Sequence, residues 1–238
     1  MLSTITKIPA TILETKQPRK ETFDIPQEVE ITLKEAALYG LQLDRAEVRR
    51  DIERAVQMGI FGRIVLSLPA DTLSVKAAIA AADKLQPDDT AWVEQESLLE
   101  LADAANTRKV PSIRILPFTR NGYGRDELGH YYNQHQKDQI KAFNADRAKF
   151  DQEHTGFSLE IATVQEIISA WNRHLLKNED GDQVYDNGWY RTLIEVPGGL
   201  VSRRLRVYSY GGQLKLEWDE CLGAGTWDSL ALSAGEIA

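Results

Sequence analysis

Apolar and polar positions alternate most regularly between Trp189 and Glu220. The runs VSRRLRVYSY and QLKLEWDE keep period two on either side of Gly211-Gly212, which is the pattern of paired strands. Two glycines accept positive φ at little cost and suit a two-residue primed turn. Such a turn sets Tyr210 opposite Gln213. Arg206 then faces Glu217, Arg204 faces Asp219 and Arg203 faces Glu220, while Val207 faces Leu216 and Leu205 faces Trp218. Opposite charges meet, and apolar meets apolar; a slip of one residue breaks every match. Trp189 to Val196 joins this hairpin through Pro197-Gly198-Gly199, with the register of the 189–207 hairpin left open. The pattern predicts a three-stranded antiparallel meander. Tyr190, Ile194, Val196, Val201, Leu205, Val207, Leu214, Leu216 and Trp218 form its apolar face, which the preceding helices must cover.

Upstream the period lengthens to that of helices. Residues 1–24, rich in Thr, Lys and Pro, read as an extended arm whose Ile5, Ile8, Ile12 and Leu13 suit it to lie on a neighbouring subunit. Thr32-x-x-Glu35 has capping-box spacing and predicts a short helix ending near Gly40. Asp44 opens a second helix, with Val48, Ile52, Ala55 and Val56 on one side and Gly59 as its stop. Ile60 to Leu68 reads as a strand. Asp71 or Thr72 starts an Ala-rich helix stopped by Pro87. Asp88-Asp89-Thr90 opens another through Trp92, Leu98, Leu99 and Leu101. Val110 to Phe118 is a strand, and its Pro111 and Pro117 point to a sheet edge. Arg125 to His154 forms one long helix with a narrow stripe of Leu128, Tyr132, His135, Phe143 and Phe150, and Gln139 inside it. Thr163-x-x-Glu166 is a further capping box, opening a helix that carries Val164, Ile167, Ile168, Trp171 and Leu175 and ends at Asn178–Gly181. Trp227 to Leu232 adds a short strand. The fold class is α+β. A mostly helical region with short strands, 25–180, packs on the antiparallel β region 181–238 as one unit with it.

Composition narrows this picture. A hydrophobic share of 42% supports a core, and a net charge of −8 argues against general attraction to nucleic acid or an anionic membrane. No stretch reaches membrane-spanning length, and residues 1–24 lack the apolar run of a secretory signal. Cys221 is the only cysteine, which excludes an intrachain disulfide and a thiolate metal cluster. The expectation is a cytoplasmic chain, or a virion component if it belongs to a phage, with no membrane contact.

Candidate chemistry is sparse. Glu127-x-x-His130 and Asp151-x-x-His154 each place a carboxylate and an imidazole on one helix face. They lie 24 residues apart, roughly 36 Å along one helix, and cannot share an ion there. Solvated helix faces account for them, and no metal ligand is assigned. Gly122-x-Gly124 lies between a strand and a helix, but Glu127 stands where a dinucleotide turn needs its third glycine, and acids at a helix start oppose phosphate. No cofactor and no catalytic residue is assigned. His130, His135, His154 and His174 have no serine or cysteine beside them, and the chain is expected not to be an enzyme.

Two basic groups point to binding. The segment ITLKEAALYGLQLDRAEVRRDIERAVQMGIF carries Thr-x-x-Glu-Ala-Ala and Val-Arg-Arg, and in these it resembles the helix-turn-helix of excisionase-like regulators. The resemblance implies DNA binding within 32–66, through Arg45, Arg49, Arg50 and Arg54, although Glu47, Asp51 and Glu53 interrupt the basic face. The polar face of the meander combines Trp189, Arg191, Arg204, Arg206 and Tyr208, residues typical of protein interfaces. The functional expectation is a non-enzymatic structural or assembly subunit of a larger multiprotein complex, such as a phage particle. Its partners are other protein subunits, a second copy of the chain included. The alternative is the DNA-binding protein.

Overall fold

A computed structural model describes residues 23–60, 62–117, 136–178, 189–195, 203–210, 212–220 and 228–237. The expected arm therefore lies outside the described residues except for Phe23, which packs against the core, and Asp24.

Asp24 begins the first helix, α1 (Ile25–Leu38). Its Oδ1 accepts from the Gln27 amide at 3.1 Å, and Pro26 fits the first turn. The expected start at Thr32 is thus corrected. Thr32 lies inside α1, fully buried, where its hydroxyl donates to the Glu28 carbonyl and accepts from Arg173. Asp44 caps α2 (Arg45–Gln57) as the spacing predicts. Strand β1 (Gly62–Ser67) follows, then α3 (Val75–Leu85), capped by Ser74 rather than by Asp71 or Thr72.

The helix expected from Asp88 starts late, as α4 (Ser97–Ala104). Trp92–Val93 is instead a strand, β2, running parallel to β7 (Gln213–Glu220). The Glu94 amide donates to the Leu216 carbonyl at 3.0 Å. Long-range pairing overrides the local helix-start signal at Asp89-Thr90.

Strand β3 (Ser112–Pro117) lies between β1 and β9 (Leu232–Glu236), not at an edge. Its prolines flank or end the strand, so the amides of the interior residues remain available to the ladder. Helix α5 (Gln136–Glu153) buries Gln139, Phe143 and Phe150, the described part of the expected stripe, and Asp146 beside them. Strand β4 (Phe157–Ile161), not anticipated from the pattern, completes a four-stranded antiparallel sheet of order β1-β3-β9-β4.

The capping box opens α6 (Val164–Lys177) as predicted. The Thr163 hydroxyl accepts from the Glu166 amide at 3.2 Å, and the Glu166 carboxylate accepts from the Thr163 amide at 2.9 Å. Asn178, in the left-handed region at φ 52°, ends it. The spacing predicts apolar residues on one side, yet every residue from Val164 to His174 is buried. α6 packs on α1, α3 and β1, and its polar side chains find partners on those neighbours.

Strands β5 (Trp189–Glu195) and β6 (Arg203–Tyr210) and β7 form the expected meander. All six pairings predicted for β6 and β7 occur, from Tyr210↔Gln213 to Arg203↔Glu220. β8 (Asp228–Leu230) adds to β5 in parallel, giving the order β2-β7-β6-β5-β8. The expected 227–232 strand is really two, β8 and β9, with Ala231 between them, so one short segment enters both sheets. Leu205, Val207, Leu214 and Leu216 are buried in the same apolar cluster as α6 and the four-stranded sheet. The fold is α+β. Among the described residues no helix is long and apolar enough to cross a membrane.

Candidate partner-binding face

The register of the five-stranded sheet assigns its two faces. Residues opposite one another share a face, and neighbours along a strand alternate. Leu205, Val207, Leu214 and Leu216 point inward. Tyr208 pairs with Lys215, Arg206 with Glu217 and Tyr210 with Gln213, all on the outer face, and Trp92 pairs with Lys215 from β2.

This outer face has a fixed part and a protruding part. The Arg206 guanidinium bonds the Glu217 carboxylate and lies 5.2 Å from the Tyr208 ring centroid. The Tyr208 hydroxyl donates to Glu217 Oε2 at 3.1 Å. Tyr208 is 8% exposed, so this trio forms a packed floor. Beside it, Lys215 Nζ lies 5.7 Å from the Trp92 ring centroid and 5.2 Å from that of Tyr210. Trp92 is 42% exposed and Tyr210 68%. An ammonium between two exposed rings gains about 0.5–1 kcal/mol per ring. The arrangement leaves large apolar area available to a partner.

Of the residues predicted for this face, Arg204, Arg206 and Tyr208 lie together on β6. Arg191 registers with Arg206 across β5 and β6, and Trp189 with Asp228 of β8. Trp92, Lys215 and Tyr210 were missed. The parity that selected Tyr208 extends to Tyr210 and Lys215, and that signal was legible. Trp92 was hidden by its assignment to a helix.

The four arginines of the DNA-binding alternative sit on α2, each beside a carboxylate. Arg45 forks onto Glu30 of α1, with Nη2 at 3.1 Å from Oε2, and this hydrogen bond holds the Glu30 carboxyl below its ordinary range. Arg49 Nε bonds Glu53 Oε1 at 2.8 Å. Arg50 lies 3.8 Å from both Glu47 and Asp51, and Arg54 reaches Glu236 on β9. The acids that interrupt the basic pattern thus pair with Arg49 and Arg50, and Glu30 and Glu236 with Arg45 and Arg54.

Two buried ionic clusters lie at opposite ends of α6. Near its start, Glu166 Oε1 accepts from Arg108 Nε at 2.8 Å, with the Ser67 hydroxyl also donating. Burial alone would raise the Glu166 pKa, but Arg108, Arg114 and Ser67 outweigh it and hold the carboxyl below its usual range. Near its end, Arg173 bonds Glu28 and Glu35, and Lys177 Nζ lies 2.6 Å from Glu28. Burial is also the largest influence on Glu28, yet Arg173 and Lys177 leave it lowered; Glu35, more deeply buried, is raised. These clusters join elements far apart in sequence, and their acids and bases are matched.

The remaining sequence candidates do not converge. Glu127, His130, His135, Gly122, Gly124 and Cys221 lie outside the described residues. The His154 ring stacks on Phe150 at 4.5 Å, and the His174 ring lies 5.4 Å from Trp171. No group of three or more metal-ligating side chains occurs among the described residues. Comparison with protein-family models, with curated proteins and with solved structures found no match for this chain.

Proposed function

We propose that this chain is a non-enzymatic subunit of a larger protein assembly, such as a phage particle, and that it binds a partner subunit through the outer face of its five-stranded sheet. The observation that carries the reading is the Trp92–Lys215–Tyr210 group, exposed on the rigid Arg206–Tyr208–Glu217 floor. Exposed aromatics with a cation, held in place before binding, resemble the residues that dominate interface energetics. Lys215 favours an acidic partner surface, and a second copy of this chain, with its net charge of −8, is one such surface. The arginines of α2 are engaged by carboxylates, so the DNA-binding alternative is not carried further.

A photoreactive amino acid at Tyr210 tests the reading. It should crosslink one discrete protein species in producing cells, and Trp92→Ala with Lys215→Glu should abolish the product while leaving the melting temperature unchanged. Diffuse crosslinking insensitive to those substitutions would sink the proposal. Binding of DNA with a steep salt dependence that Arg49→Ala/Arg50→Ala removes would favour the alternative.

A further inference from the structure

A cleft of two lobes opens beside α5 and β4, where the segment joining α4 to β3 meets them. One lobe, about 550 Å³, is lined by Lys109, Arg114, Asp151 and Ser158 together with the apolar Val110, Phe157 and Ile237. The other, about 410 Å³, is walled by Ala102, Ala105, Phe143, Ile161, Val164 and Ile194. Thr107, Arg108, Arg147 and Glu160 line both. Volumes of a few hundred Å³ with one apolar wall and a few convergent polar groups are typical of small-molecule sites.

The charges around the cleft fall into two tiers. The inner tier is buried and matched. Arg108, its side chain 9% exposed, bridges Glu160 and Glu166. Arg114, 4% exposed, donates to the Ser233 hydroxyl at 2.8 Å and to the Ser233 carbonyl at 3.0 Å. Burial pulls Arg114 down to about 10, and the charge of Arg108 acts in the same direction, against Glu166. The outer tier is not matched. Arg147 and Lys109 are exposed at the cleft, and no carboxylate among the described residues pairs with either. Of the acids facing them, Glu236 is held by Arg54 and Glu160 by Arg108, which leaves Asp151. The mouth is locally cationic in a chain of net charge −8.

We propose that this cleft binds an amphipathic monocarboxylate, with its alkyl chain in the apolar lobe and its carboxylate beside Arg147 at the junction, toward Lys109 in the other lobe. A single negative charge fits better than a dianion, because Asp151 and Glu160 stand in the same wall and repel added charge. The apolar lobe contributes affinity in proportion to chain length, about fourfold for each methylene buried.

Calorimetric titration of the purified full chain with octanoate, hexanoate and octanol tests this. Octanoate should bind saturably, at least tenfold tighter than octanol and about fifteenfold tighter than hexanoate. Arg147→Glu with Lys109→Glu should weaken octanoate at least tenfold and leave octanol unchanged. Ala105→Trp, at an exposed position beside the apolar lobe, should abolish binding of both. All three sites are exposed, so melting temperatures should stay close to that of the parent. Absence of saturable octanoate binding, octanol binding as tightly as octanoate, or indifference to the charge reversals would each overturn the proposal.

Discussion

Glu166→Gln tests the structural reading of α6 most directly. Glu166 is fully buried, and its two oxygens serve Arg108, Ser67 and the Thr163 amide. Glutamine keeps the volume and one acceptor, but it removes the charge and turns a donor toward groups that are themselves donors. Removing one partner of a buried ion pair costs about 3–5 kcal/mol. Arg108 retains Glu160, so the lower end, about 3 kcal/mol, is expected. For a chain of this size that is roughly a 6–12 °C fall in melting temperature. Urea denaturation followed by tryptophan fluorescence supplies the free energy. Acid titration supplies a second readout. The folded Glu166 pKa lies below the unfolded value near 4.5, so its contribution is complete above that pH and is lost as pH falls through the folded value. The gap between parent and Glu166→Gln should therefore be widest near neutrality and close in acid. Glu28 is lowered too, and it keeps an acid limb in the variant. A loss under about 1 kcal/mol, or a gap independent of pH, would refute the account of a tightly coupled buried pair.

Two further predictions concern how strands are held. Ser169→Ala should cost about 1–3 kcal/mol, because it orphans the buried Leu66 amide that now donates to Ser169 Oγ at 2.9 Å; hydrogen exchange at Leu66 should accelerate, and unchanged protection would refute the assignment. Gly235→Ala should cost about 1–3 kcal/mol of overpacking, since a Cβ there would sit 2.7 Å from Arg114 Cγ and 3.1 Å from its Cζ; a calorimetric melting temperature equal to the parent's would show that Arg114 can move freely.

The β6–β7 hairpin was readable because its information is local. Eighteen consecutive residues hold the turn, the alternation and the matched charges, and one register satisfies them all. The Thr32-x-x-Glu35 motif misled for the opposite reason. Those residues serve a partner 138 positions away, since the Glu35 carboxylate lies 3.1 Å from Arg173, and local spacing carries no trace of such a partner. Trp92 failed similarly: Asp89-Thr90 does resemble a helix start, but the backbone that follows is committed to β7.

Helix α6 shows how this shapes the site as well as the fold. Its apolar side is visible in the spacing of Val164, Ile167, Ile168, Trp171 and Leu175, while polar residues on the rest of a helix usually face solvent. What inverts that rule is that the buried Glu166, Arg173 and Asn172 have complements elsewhere: Arg108 for Glu166, Glu28 and Glu35 for Arg173, and Tyr39 for Asn172. A helix enclosed in this way anchors β1 and α1 on one side and the α4–β3 segment on another. The same enclosure consumes the charge that sequence reasoning would offer to a ligand. Among the described residues, Lys215 between its two rings and Arg147 with Lys109 at the cleft are exposed charges the interior does not use. Neither group is marked by a motif. Strand parity places Lys215 on the outer face, whereas Arg147 and Lys109 stand out only once the matched pairs have been identified in three dimensions.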